Sequence, residues 1–127
     1  GVELVWQAFA DMVGGEIYVK KIPSMKIVDI ATAINKDAKQ EIIGIRPGEK
    51  LHEQMIGIED APYTYEYDSY FKILPAINNW SNDLSRINKG KKVHTNFRYS
   101  SDNNEDFMSI ESLEKWIKEN KEKIGKI

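Results

Sequence analysis

The residues Arg46-Pro47-Gly48-Glu49 stand inside the run Gly44-Ile45-Arg46-Pro47-Gly48-Glu49-Lys50-Leu51-His52-Glu53. Pro-Gly suits the two central positions of a type II turn, because proline presets φ and glycine accepts the positive φ that follows. An arginine directly before such a turn has its backbone fixed by sequence, so less entropy is lost when its planar fork closes on a ligand. Phosphate is the natural partner, since guanidinium groups pair bidentately with phosphate oxygens. The carboxylate of Glu49 can accept hydrogen bonds from ribose hydroxyls. Together Arg46 and Glu49 would hold both ends of a nucleoside diphosphate. The same two residues also suit an ordinary surface ion pair that braces the turn, worth about 0 to 1 kcal/mol, and residue types alone favour that simpler account.

Other reactive side chains point to less. His52 and His94 are the only histidines, they share no carboxylate motif, and the chain has no cysteine, so a metal site is not expected. His52 reads as a helix residue packed beside the loop. Lys89, Lys91 and Lys92 form a short basic run of the kind that usually marks a solvated loop. Tyr63, Tyr65, Tyr67 and Tyr70 alternate as a strand would, so a core or interface face is expected rather than a stacking platform for bases.

The Arg46 turn needs elements to hold it. Val2, Val5, Trp6, Phe9, Met12 and Val13 recur at helical spacing with no capping residue before them, so this helix is expected either to begin upstream of Gly1 or to open on a frayed first turn, and to stop at Gly14-Gly15. Glu16 to Lys21 alternates as a half-buried strand ended by Pro23, and Ser24 is placed to cap a second helix through Ile34. A strand over Glu41–Arg46 leads into the turn, and a short helix with Leu51, His52 and Met55 on one face leads out of it to Gly57. Thr64 to Leu74 reads as extended structure in two short strands, residues 76–105 as loops and short strands, and Ser109 as the cap of a final helix with Ile110, Leu113, Trp116 and Ile117 buried. Alternating helices and strands favour an α/β arrangement.

Composition narrows the function classes. The chain has 127 residues, 41% of them hydrophobic, enough for one compact domain or one lobe of a larger one. Eighteen basic against twenty acidic side chains give a net charge of −2, which offers nucleic acid no electrostatic footprint. No apolar run approaches the roughly 20 residues of a membrane span, and the first residues given lack a basic stretch followed by a hydrophobic one. A cytoplasmic protein is expected, in keeping with the absence of cysteine.

Three separated stretches carry a resemblance. Gly14-Gly15-Glu16-Ile17-Tyr18-Val19, with Lys21-Ile22-Pro23-Ser24-Met25-Lys26-Ile27-Val28-Asp29-Ile30, resembles the corresponding part of inverting UDP-N-acetylglucosamine 4,6-dehydratases. Gly44 through Met55 is similar to the most recognisable C-terminal signature of that family, and Tyr99-Ser100-Ser101-Asp102-Asn103-Asn104 to its Tyr-Ser-Ser-x-x-Asn segment. Lys20 stands where proline is expected and Glu105 where a proline commonly follows the Asn-Asn pair, changes that bear on local geometry. Pro47 and His52 stand where related enzymes of other sugar pathways tend to carry histidine and tyrosine, which tilts the resemblance toward the pseudaminic-acid branch.

The resemblance implies an extended short-chain dehydrogenase/reductase in which a Rossmann domain binds NADP and a smaller C-terminal region closes over the UDP-sugar. Residues 1–127 are expected to be that C-terminal substrate-binding lobe, mixed short strands and helices, with the N-terminal Rossmann domain absent. By the resemblance Arg46 contacts the diphosphate and Glu49 the ribose of UDP. The family oxidises C4 of the sugar, removes the C5 proton, eliminates water across C5 and C6, and returns the hydride to C6 with inversion at C5. No glycine-rich dinucleotide fingerprint occurs in the chain, and the residue four positions after each of its six tyrosines is never lysine. No catalytic or cofactor-binding residue is therefore expected here, and the fragment alone should be inactive. The partners expected are the UDP-sugar, the Rossmann domain of the same protein and, since members of the family commonly assemble, a second copy. The competing reading is a stand-alone, non-catalytic nucleotide-sugar-binding or interaction module, which an open reading frame starting near Gly1 would favour.

Overall fold

The computed structural model of the chain describes residues 1–77 and 83–124, with side chains through 122. The part of the expected loop region at 78–82 and the last residues of the chain lie outside them. Helices and strands mix, as the alternating pattern predicts, and two compact units emerge: residues 1–22 with 54–103, and residues 23–53 with 104–127.

In the first unit, helix α1 (Val2–Asp11) leads through Gly14 and Gly15, at φ 138° and 79°, into strand β1 (Ile17–Lys20). Residues 54–103 add β2 (Gln54–Ile56), a 3-10 turn (Ile58–Tyr63), β3 (Thr64–Glu66), β4 (Tyr70–Ile73), a four-residue helix α2 (Leu84–Ile87), β5 (Lys91–Lys92) and β6 (Tyr99–Ser100). Four strands pair antiparallel in the order β1-β4-β3-β5, and β2 pairs with β6. The two strands expected between Thr64 and Leu74 are β3 and β4, joined by a tight hairpin in which Tyr67 N–H bonds Tyr70 O at 2.9 Å.

Because side chains alternate along a strand, the sheet presents two different faces. Val19, Phe71 and Ile73 point to one and bury against Ile56 and Tyr99. The other carries Tyr18, Tyr70 and Lys72. Lys72 is only 1% exposed in the middle of β4, and its ammonium sits about equally far from the rings of Tyr18 and Tyr67, at 5.4 and 5.1 Å. A buried ammonium is stable only when paired and hydrogen-bonded. Asp11, the last residue of α1, supplies the charge, Arg86 O accepts a hydrogen bond at 2.8 Å, and Tyr18 Oη donates to the same Asp11 carboxylate at 2.8 Å. A second buried pair joins Arg86 to Glu16 at 2.6 Å, and Arg86 also donates to Gly14 O at 2.9 Å. These contacts clamp the end of α1 and the glycine turn onto the sheet.

In the second unit, α3 (Ile27–Ile34) packs against α4 (Ile110–Glu119), which is followed by α5 (Lys121–Ile124). Ser109 caps α4 as expected, its Oγ accepting from Ser112 N at 3.2 Å. Leu113 is buried in this helix, while Trp116, expected to be buried, is 46% exposed. Ser24 does not cap α3. Its N–H and C=O are taken by Asp106 O (2.8 Å) and Met108 N (2.9 Å) in a bridge opposite Phe107, which holds Ser24 extended three residues before the helix starts.

Two further expectations fail around the turn. The strand expected over Glu41–Arg46 joins no ladder among the described residues: Gly44 lies at φ 84°, outside the pleated region, and Ile42 is 96% exposed. The short helix expected around Leu51, His52 and Met55 is absent. Residues 51 and 52 bend, and Gln54–Ile56 forms β2 because fully buried Ile56 packs beside Tyr99.

Candidate functional site

The turn forms where the sequence places it. Glu49 N–H bonds Arg46 O at 3.1 Å, closing a four-residue turn, and Gly48 lies at φ 89°, the conformation a type II turn requires at its third position. The structure brings the two predicted site residues together. One carboxylate oxygen of Glu49 accepts the backbone N–H of Arg46 at 2.8 Å and the other accepts Nε–H at 2.7 Å. Glu49 thus fixes both the backbone and the inner edge of the guanidinium. The Arg46 side chain remains 78% exposed, and among the described residues nothing bonds its two Nη groups. That outer edge is free to pair with a phosphate, with the fork already oriented. The ion pair itself, exposed on both sides, contributes about 0 to 1 kcal/mol, so its value lies in orientation rather than stability.

Neighbouring candidates separate from this site. His52 is exposed at a bend and is not packed on a helix, a correction to the reading from amphipathic spacing. Lys91 and Lys92 pair as β5 and, like Lys89, stay exposed. No cluster of metal-ligating side chains occurs among the described residues, and no helix among them is long and apolar enough to cross a membrane.

The Tyr99–Asn104 segment turns out to be scaffold. Tyr99 is buried, and its hydroxyl both accepts from Ile22 N and donates to Ile22 O, each at 2.8 Å, so one side chain closes a loop across most of the chain. Ser100 N–H bonds Asn103 Oδ1 at 3.0 Å, Asn103 Nδ2 returns to Arg98 O at 2.8 Å, and Asp102 receives Ser100 Oγ and, at 2.7 Å, Arg98 Nη2. The hydrogen bond from Ser100 and then that from Arg98 hold the Asp102 carboxyl down to about 2. The alternation of Ser, Asp and Asn, which bond their own neighbouring backbone, is the sequence signal for such a knot.

A family model described as "Polysaccharide biosynthesis protein" matches residues 1–75 of this chain. The chain belongs to the polysaccharide biosynthesis protein family. The matched segment holds α1, β1, α3 and the Arg46 turn. Two relatives, from Campylobacter jejuni subsp. jejuni serotypes O:2 and O:23/36, bear the name UDP-N-acetylglucosamine 4,6-dehydratase (inverting). The first is 51% identical over 110 residues, 82% of this chain and 33% of that protein. The second is 47% identical over 119 residues, 89% of this chain and 35% of that protein. This member of the polysaccharide biosynthesis family therefore spans about a third of the length of the curated relatives it matches. Its fold also resembles that of Pen from Bacillus thuringiensis, with a TM-score of 0.74 at 24% identity over 94% of this chain and 35% of that one.

Proposed function

We propose that residues 1–127 are the C-terminal, UDP-sugar-binding portion of a UDP-N-acetylglucosamine 4,6-dehydratase of the 5-inverting type, an extended short-chain dehydrogenase/reductase and a lyase. The product would be a 4-keto-6-deoxy sugar nucleotide for surface glycan synthesis, on the pseudaminic-acid branch. One observation carries the reading at this site: a guanidinium fixed by its own turn and by Glu49, with its outer edge open, within a segment about half identical to enzymes of that name.

In this account Arg46 binds the diphosphate through its Nη groups. Glu49 holds Arg46 in place and accepts hydrogen bonds from the ribose hydroxyls with its remaining lone pairs. Neither residue moves a proton or touches the sugar carbons. Binding energy gathered here, remote from the reacting centre, serves to orient C4 and C5 for chemistry performed by the rest of the protein.

NADP is the expected cofactor, and this chain's own residues do not fit it. Its glycine pair, Gly14-Gly15, opens into β1 rather than into a helix N-terminus, so no anion cradle faces a pyrophosphate there. The cofactor, the catalytic residues and the proton transfers are assigned to an N-terminal domain, and residues 1–127 alone are inactive. The test is incubation of the full-length protein with UDP-N-acetylglucosamine in deuterated water. A 4-keto-6-deoxy sugar nucleotide inverted and deuterated at C5 is the expected product, and unconverted substrate would refute the assignment.

A further inference from the structure

At the tip of the β3-β4 hairpin the first unit opens a polar pocket of about 640 Å³. Its walls come from separate places in the sequence: Gln7 of α1, Lys21 just after β1, the hairpin itself, and the turn that leads from α2 into β5. Register sets Lys91 directly opposite Glu66 across β5 and β3, where opposite charges ordinarily pair. That pair does not form. Lys21 Nζ holds the Glu66 carboxylate instead, at 2.7 Å, and among the described residues neither Lys89 nor Lys91 has an acidic partner. The pocket therefore carries two unpaired ammonium groups beside an acid that is already engaged.

The turn that presents these lysines is strained. Gly90 N–H bonds Ile87 O at 3.0 Å, and Asn88 lies at φ 52° and ψ −115°, the second position of a type II′ turn. Glycine leads at that position because a Cβ is crowded there, and Asn88 is the one described residue other than glycine with positive φ. The conformation persists because Tyr67 fixes the turn at both ends. Its hydroxyl donates to Ile87 O, and its ring lies so close to Gly90 that an added Cβ would stand 2.5 Å away. Strain held in this way gathers at ligand sites, where it aims a side chain that glycine could not supply. Asn88 lines the pocket.

The chemistry of the walls specifies what fits. Unpaired ammonium groups are point charges suited to an oxyanion, whether phosphate or carboxylate. The amides of Gln7 and Asn88 and the hydroxyl of Ser69 both donate and accept, as the hydroxyls of a sugar require, and Gln7 is already steadied by a hydrogen bond with Tyr70. We infer that this pocket binds an acidic sugar, its phosphate or carboxylate on Lys89 and Lys91 and its hydroxyls on Gln7, Asn88 and Ser69. All of these residues belong to the first unit, whereas Arg46 and Glu49 belong to the second. The pocket is thus a second binding function, and it stands whether or not Arg46 takes a UDP-sugar. Because it is open to water, its affinity is modest and falls as salt rises.

Amide NMR of the full-length protein tests it, with glucose 1-phosphate and glucuronate titrated separately. At least one of them should give saturable shifts at Asn88 to Lys91, and the tighter of the two identifies the anion as phosphate or carboxylate. Lys89→Gln combined with Lys91→Gln should weaken binding about tenfold or more. Lys92→Gln removes the same charge from the opposite face of β5 and should change nothing. Asn88→Gly relieves the backbone, so it should weaken binding without lowering the melting temperature; undiminished binding there removes Asn88 from the site. No saturable shift with either sugar overturns the inference. So does inorganic phosphate that binds as tightly as glucose 1-phosphate, which would leave bare charge in place of a sugar site, and so does loss of the shifts in Arg46→Ala, which would move the anion to the other unit.

Discussion

Glu49 commits one oxygen to the Arg46 backbone and one to its side chain, so the turn and the cation it presents form a single unit. Gly48 is the residue on which that unit depends, because an L side chain at φ 89° costs about 1 to 2 kcal/mol even where, as here, a Cβ would meet nothing. Gly48→Ala in the full-length protein should raise KM for the UDP-sugar roughly tenfold, leave kcat within about twofold, and lower the melting temperature by only a few degrees, the cost of the strained turn. Steady-state kinetics beside a thermal melt checks this. A fall in kcat at constant KM would place the turn in the chemistry instead of in binding.

Among the elements, β4 is held by a charge. Burial pushes the Asp11 carboxyl up, but the hydrogen bonds from Lys72 and Tyr18 and the charge of Lys72 outweigh it and leave the group below its ordinary value. Glu16 behaves alike: burial raises it, while the N–H groups of its own turn and the charge of Arg86 bring it down. A carboxylate lowered by folding contributes stability that is present above its unfolded pKa, near 4, and lost as pH falls through the folded value. Lys72→Met keeps the burial and removes the hydrogen bond and the charge of Lys72 that lower Asp11, leaving the hydrogen bond from Tyr18. It should destabilise the unit by roughly 3 kcal/mol at pH 7, with the loss shrinking toward pH 3. Urea midpoints at both pH values measure it, and an equal loss at both would mean that Asp11 is not the partner that matters.

These elements also show what the sequence discloses. The two short strands β3 and β4, the Pro-Gly turn and the α4 cap were legible because each depends on neighbours in sequence: aromatic alternation, preset φ angles, and a serine oxygen three residues from the N–H it accepts. Ser24 and Met55 misled because distant partners won, Asp106 and Met108 taking the backbone of Ser24, and Tyr99 drawing Ile56 and its strand out of a helix. Lys72 gave no warning, since a lysine in a strand ordinarily points to water. Arg46 and Glu49 are visible as a pair in the sequence, yet only the folded turn shows that the acid grips the arginine at two points.

At the scale of the molecule, apolar surface lies where a chain of this length would not leave it if it worked alone. Val2, Trp6 and Phe9 line one side of α1, and Ile42 and Leu51, 96% and 78% exposed, flank the Arg46 turn. Such surface promotes association. Produced by itself, the 127-residue chain should sediment with a mass that rises with concentration, and Trp6→Glu combined with Phe9→Glu should bring it toward monomer. A monomer at all concentrations would mean that α1 finds cover within the chain. The central claim, that the Arg46 guanidinium grips a uridine diphosphate, is tested most directly by titrating UDP into the full-length protein by calorimetry. Arg46→Ala should weaken binding about 10- to 100-fold, the loss expected for charge-assisted hydrogen bonds to phosphate, with the melting temperature unchanged. Unaltered UDP affinity in that variant would contradict the account.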